Sequence, residues 1–479
     1  MSNLKANVIY SSILTIANYV FPFVTYPYIS RVLGVTNIGI CNFIDSIINY
    51  YIIFSMMGIG AVAIREISRN KDNKEKLSNT FNSILALNTI STAIVLIILF
   101  LSIILVPRLY IHRHLMYIGA FKVLFNYLLI EWFYTGTENF KYITKRSIAI
   151  KLAYIICIFA FVRKSEDYNI YYLLSMLMIA TNAILNLNHS RKYICFSLSN
   201  INIKPYIRSF FLIGIYVILT SMYTTFNITF LGFTCGEKEV GIYTTATKLH
   251  AILLALFTAF TNVMMPHMSS LISKEKKEDF IKYINQSTQV LLLFAIPIVL
   301  YFIIYAPEII YLIAGPGYES ASTPMRIVMP LIFIIGYEQI GIMQILMPLK
   351  KDKEIFRNSI LGAGLGIIAN IILVSYLKSV GSAIVWTISE IAVLSATHYY
   401  VTKYTRIKFP IKNLFKYILG AIPCIILLYA EQYVNTNYLF HIINGFIICS
   451  IYYSILYMFI FKEEIVLTNM NKLRKIFLK

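Results

Sequence analysis

Seven charged side chains stand in or beside long apolar stretches of this 479-residue chain. Four are bases: Arg31, Lys122, Lys248 and Arg326. Three are acids: Asp45, Glu338 and Glu390. A charge in such surroundings costs several kcal/mol unless it meets a partner or a hydrated space. Lysine and arginine there can pair an anion such as a phosphate, arginine in bidentate fashion. A carboxyl group there can take up a proton or a sodium ion, or balance a nearby base. Asparagines widen the polar surface. Asn42, Asp45 and Asn49 recur at i, i+3 and i+7, one face of a helix. Lys122 and Asn126 share another face, and Lys122 is too central to reach an interface easily. Each group has a structural rival role: an interhelical ion pair, small-residue packing, or an interfacial anchor. Arg31 is open to the last, because it stands in the turn sequence "SRVLGVTNIG" (30–39).

Other chemistries find no support. The six cysteines are scattered singly, with no C-x-x-C. Neither a metal-ligand cluster nor a nucleophile triad is legible, and no metal or cofactor is expected. "GAGLG" (362–366) lies within an apolar stretch with no strand before it, so it is not a dinucleotide fingerprint. The phosphate-loop pattern G-x-x-x-x-G-K-[ST] is absent, so the chain is not expected to hydrolyse ATP itself.

The elements that must position these residues follow from composition. The chain is 58% hydrophobic and 13% charged, against roughly 25% charged residues in a soluble protein. Apolar runs of about 20 residues recur throughout, the length that spans a hydrocarbon core. The expected fold class is all-α, a polytopic membrane protein of about fourteen transmembrane helices, with twelve as the alternative. The expected spans lie near 8–28, 38–62, 82–106, 115–134, 147–163, 169–187, 209–232, 243–266, 286–313, 327–349, 357–376, 380–402, 414–430 and 438–461. The first is read as a retained helix rather than a cleaved signal. Connectors alternate between basic and nearly uncharged. Of the 42 Lys and Arg residues, Lys122 and Lys248 lie inside expected spans; the rest divide between the two sides by four to one, a positive-inside signal that places both termini in the cytoplasm. The net charge of +20 is thus a topology determinant facing anionic lipid, with no nucleic acid implied. The outer connectors are too short for a folded catalytic domain.

A repeat is also legible. "LGVTNIGI" (33–40) resembles "LGFTCGEKEVGI" (231–242), each joining an odd-numbered span to the next. It implies halves at 1–208 and 209–410, each a six-helix bundle, then two additional helices at 411–461 and a basic tail at 462–479. Parallel repeats of this kind enclose a central cavity, the layout of alternating access. Aligning the Gly-Ile pairs sets Asp45 opposite Thr247, beside Lys248. Aligning the Leu-Gly pairs sets Arg31 opposite Thr229, so that arginine belongs to one half only.

"YPYISRVLGVTNIGICNF", "EWFYTGTENFKYITKRSI", "DYNIYYL", "GIYTTATKL", "NIILV" and "GSAIVWTISE" occur in this order between about residues 5 and 400. Together they resemble the landmarks of the polysaccharide (O-antigen) flippases, Wzx-type members of the multidrug/oligosaccharidyl-lipid/polysaccharide exporter superfamily. The resemblance implies a bacterial inner-membrane transporter, not an enzyme. It implies that undecaprenyl-pyrophosphate-linked glycan is moved from the cytoplasmic to the periplasmic leaflet, through a cavity with cationic residues. Coupling to H+ or Na+ is implied, and a polysaccharide polymerase and chain-length regulator are implied partners. Arg31, Lys122, Lys248 and Arg326, with Asn42, Asn49 and Asn126, are the expected substrate contacts. Asp45, Glu338 and Glu390 are expected to serve coupling or charge balance. A cation-coupled multidrug antiporter of the same superfamily is the alternative. A membrane glycan polymerase or ligase is the third reading, disfavoured by the short outer connectors.

Overall fold

Away from water, a backbone must satisfy its own N–H and C=O groups, and a helix does this within one segment. The computed structural model describes residues 2–197, 201–222, 225–434 and 438–463, and no strand occurs among them. The expected tail lies, from residue 464 on, outside the described residues. Helix Lys74–Leu105 illustrates the local logic. Asn73 caps its start, accepting from the Lys76 N–H at 3.0 Å, and Glu75 suits the positive end of the helix dipole. Pro107 follows its end. Ile90, Ile94, Ile98, Leu101 and Leu105 are exposed on one side, while Leu87, Val95, Leu99 and Ile103 are buried on the other. An exposed aliphatic face of this length suits lipid, not water.

Ten helices among the described residues are long and apolar enough to cross a membrane. Two of these are double length. Ile9–Met56 has 48 residues and Asp352–Thr405 has 54, so each is roughly 70–80 Å long at 1.5 Å per residue. Each is broken inside: at Gly34 (φ 73°, ψ 169°) and at Lys378 (φ 53°, ψ −128°). Glycine adopts such angles without a Cβ penalty, so the first break is written in the sequence "LG". Each expected span overlaps a helix, although length and composition alone qualify only the ten.

The chain groups into two compact units, Met1–Thr244 with Gly366–Lys378, and Thr245–Leu365 with Ser379–Lys479. Within unit 1, an aromatic core of Phe81, Trp132, Phe133 and Tyr134 fixes the short helix Glu131–Gly136. Phe81 lies 5.2 Å from Trp132 and 5.3 Å from Phe133, ring centre to ring centre. The two copies of the repeat turn also meet inside unit 1. A Cβ at Gly39 would overlap the Glu237 carbonyl, and a Cβ at Gly241 would overlap the Val35 carbonyl. Asn42 Nδ2 donates to Thr244 Oγ1 at 2.8 Å. One sequence offset relates Val35 to Glu237, Gly39 to Gly241 and Asn42 to Thr244. The contacts are therefore reciprocal, as a two-fold relation between repeats requires.

Within unit 2, helices Ile411–Val434 and Tyr438–Ile455 pack on Lys277–Ile304. Tyr305 Oη donates to Glu431 at 3.0 Å, His441 Nδ1 lies 3.1 Å from the same carboxylate, and Tyr301 Oη donates to the Ile442 carbonyl at 2.7 Å. Gly445 admits the Tyr305 ring. The two additional helices are thus an integral part of this unit.

Candidate functional site

In unit 1 the site is built where helix Arg113–Leu128 crosses the stretch 38–56. Gly119 permits the crossing, since a Cβ there would overlap the Ile48 side chain. One turn later, Lys122 Nζ reaches Asp45 Oδ1 at 2.7 Å. Tyr172, from the "DYNIYYL" stretch, donates its hydroxyl to the same oxygen at 3.2 Å, and its ring centre lies 3.6 Å from the ammonium. The lysine side chain is 6% exposed and the aspartate 45%. The base is enclosed between a carboxylate and an aromatic face; the acid presents an open edge. An incoming anion can compete with that carboxylate for the ammonium. The repeat sets Asp45 as the counterpart of Thr247, beside Lys248; the base that bonds Asp45 is Lys122. Ser46 Oγ lies 2.8 Å from Thr229 Oγ1, continuing the polar face begun by Asn42.

Toward the basic connectors of unit 1, the "EWFYTGTENFKYITKRSI" stretch builds a second network. Arg146 Nη2 donates to Glu131 at 3.0 Å and Nη1 bonds Asn186 Oδ1. Asn186 Nδ2 donates to the Leu129 carbonyl at 2.5 Å, and its own carbonyl accepts from Tyr134 Oη at 2.7 Å. Arg146 counted in the sequence as one more topology-setting base; it is in fact buried. Outside the spans, the hydrogen bond from Lys71 Nζ to Glu138, 2.9 Å long, raises the Lys71 pKa above its ordinary value.

In unit 2, Glu338 and Glu390 are both buried, and Glu338 lies within the electrostatic reach of Glu390. Two buried carboxylates so placed repel each other unless a proton or a cation offsets one charge. Trp386 Nε1 donates to Glu390 at 2.9 Å, and the His250 ring meets the Trp386 ring edge-on at 4.9 Å. Gln339 exchanges hydrogen bonds with Thr258, at 3.0 Å, and accepts one from Thr261, at 3.3 Å. The chain then turns π-helical over Ile340–Leu346, a widened turn frequent at functional sites.

The remaining candidates are spread out. Arg31 is exposed and donates to the Pro27 carbonyl at 2.8 Å. Arg326 is exposed and donates to the Ile303 carbonyl at 3.1 Å. Asn49 is exposed, whereas Asn126 in unit 1 and Lys248 in unit 2 are half-buried. Three contributors escaped the sequence reading: Tyr172, Trp386 and Arg146. Trp386 stands four residues before Glu390, a spacing that could have revealed it. Tyr172 and Arg146 act across elements, and no local spacing announces that.

These features meet known proteins at this point. A profile described as "Polysaccharide biosynthesis protein" matches residues 4–272. The chain belongs to that family. A second profile, MatE, matches residues 213–372 of this family member. It is similar to a protein of Escherichia coli (strain K12) called "Putative O-antigen transporter", 28% identical over 399 residues, which cover 82% of this chain and 95% of that one. A protein of Shigella dysenteriae with the same name is 23% identical over 414 residues, or 82% and 98% of the two chains. The structure resembles "Lipid II flippase MurJ, inward closed conformation", with a TM-score of 0.77 at 15% identity, covering 95% of this chain and 99% of that one. At that identity the likeness speaks of fold. The family member is an all-α, multi-pass membrane transporter of the multidrug/oligosaccharidyl-lipid/polysaccharide exporter superfamily, not an enzyme.

Proposed function

We propose that this transporter flips undecaprenyl-pyrophosphate-linked oligosaccharide repeat units from the cytoplasmic to the periplasmic leaflet, by alternating access. The observation that carries the reading is the enclosed Lys122 ammonium beside a half-exposed Asp45 carboxylate. A pyrophosphate head cannot cross a bilayer unaided, and an intramembrane base offers it a counter-charge. While the site is empty, Asp45 neutralises the base. When the head arrives, it takes the place of the carboxylate. Arg31, Lys248 and Arg326 would serve the head along its route, and Asn42, Asn49 and Asn126 its sugars. The E. coli relative's name and the flippase likeness support this reading.

The proposed topology has fourteen crossings, both termini in the cytoplasm, and functional halves at 1–208 and 209–410. Glu338 and Glu390 would couple movement to H+ or Na+. A polymerase and a chain-length regulator would act on the product. The test is complementation of a flippase-null strain with the chain carrying Lys122→Ala. Surface glycan should fall at least about tenfold at normal protein level, the effect of losing one charge-assisted contact. Undiminished export would overturn the reading.

The MatE match and the buried acid pair of unit 2 favour a second reading, a cation-coupled multidrug antiporter. Drug resistance conferred on a susceptible strain, without glycan export, would select it.

A further inference from the structure

A polar cavity of about 450 Å³ lies in unit 1, away from the Lys122 pair. Part of its wall is the "TENFKY" segment (137–142), between helices Glu131–Gly136 and Phe140–Phe161. The backbone there is unusual: Glu138 has φ 59°, in the left-handed region that non-glycine residues seldom adopt. This turn places Thr137, Asn139 and Lys141 along one wall. Asn7, Tyr10 and Tyr193 complete the lining. The frame is tied from several sides. Asn139 Nδ2 donates to Tyr193 Oη at 3.1 Å, Thr144 Oγ1 donates to the Tyr10 carbonyl at 2.9 Å, and the Lys71–Glu138 pair fastens the rim.

The lining decides what would fit. Amides, a hydroxyl and phenols offer alternating donors and acceptors. Tyr10 and Tyr193 add flat faces against which the C–H side of a sugar ring can lie. An acyl chain has no reason to enter, and unit 1 has a separate apolar cavity of about 720 Å³ beside helix Lys74–Leu105 for such groups. A phosphate would seek an arginine fork or several cations; here the lining has one base, Lys141, and an acid, Glu138, from the same segment. The volume lies within the roughly 300–1,000 Å³ range of small-molecule sites. The cavity adjoins the basic connectors, the cytoplasmic side in the proposed topology.

We propose that this cavity is a saccharide-binding vestibule, which holds the sugar end of the lipid-linked glycan on the cytoplasmic side before translocation. The inference rests on the flippase reading and adds a first docking place for the neutral part of the substrate.

The test uses the full chain in nanodiscs. Two probes are compared: the lipid-linked repeat unit that accumulates in flippase-null cells, and undecaprenyl pyrophosphate alone. Tyr193→Ala and Asn7→Ala are each expected to weaken binding of the glycan-bearing lipid about tenfold, as losing a stacked ring or hydrogen bonds would. Binding of the sugar-free lipid should stay unchanged. Tyr193→Phe, which keeps the ring, should lie between Tyr193→Ala and the unsubstituted chain. Equal weakening of both probes would make the cavity a phosphate site and overturn the proposal, as would no weakening of either. Asn7→Ala keeps the test decisive where Tyr193→Ala disturbs folding. An unsubstituted chain that does not prefer the glycan-bearing lipid would instead overturn the substrate reading itself.

Discussion

Unit 1 holds an acid against a base, and unit 2 holds an acid against an acid. Lys122 and Asp45 cancel each other, and an anion can exchange into that pair at the ammonium. Glu338 and Glu390 are both buried, and two carboxylates in such a place favour a proton or another cation. The difference lies in the sign of what each unit can accept. Exposure differs as well: Asp45 is open on one side, whereas both glutamates are buried. An open neutral pair suits a large ligand that arrives from outside. A closed acid pair suits an ion small enough to move through a packed bundle.

The comparison can be broken first at Asp45. Asp45→Ala leaves a buried ammonium without its carboxylate, a change that costs about 3–5 kcal/mol. Lys122→Met leaves a half-exposed carboxylate that solvent can reach, at about 1 kcal/mol. The thermal midpoint of the purified protein should therefore fall much further for Asp45→Ala. Equal losses would mean that the lysine is not the enclosed partner.

Next come the repeat contacts. Gly39→Ala and Gly241→Ala should each destabilise by about 1–3 kcal/mol, the range for overpacking, and by similar amounts because the contacts are reciprocal. Thermal unfolding of both variants checks this, and a large inequality would argue against the two-fold relation.

Glu338→Gln sharpens the unit 2 side. An amide can hydrogen-bond Glu390, so the stability change should stay near about 1 kcal/mol. One titratable carboxyl of the pair is removed, and the pH dependence of export should flatten. An unaltered pH profile would remove the pair from coupling.

The smallest effect is expected at Arg31. It is exposed and bonded to its own helix turn, so Arg31→Ala should change stability by less than about 0.5 kcal/mol. An export defect in this stable variant would therefore report on substrate, not folding.

The helices were legible because hydropathy sets them directly, and the break at Gly34 because glycine marks it. The break at Lys378 falls in the gap between the expected spans 357–376 and 380–402, although no residue type there announces its positive φ. The acids and bases within apolar stretches were legible as unusual residues. Their partners were not: Asp45 meets Lys122 only through the close crossing at Gly119, and sequence numbering carries no trace of that approach. The buried position of Arg146 is illegible for a related reason. Among neighbouring lysines it looks like one more connector charge, and only Glu131 and Asn186, distant in sequence, draw it inside.

The meeting of Gly39 with Gly241 has a consequence for motion. Each glycine receives a carbonyl from the other segment, one turn away from its own donated contact. Sliding one segment along the other by a residue would drive a side chain into a backbone that now has no room for it. Translation is therefore blocked in both directions. A swivel about the contact keeps both carbonyls near their glycines. The tightest point of unit 1 thus behaves as a pivot, and rotation is the movement it leaves open.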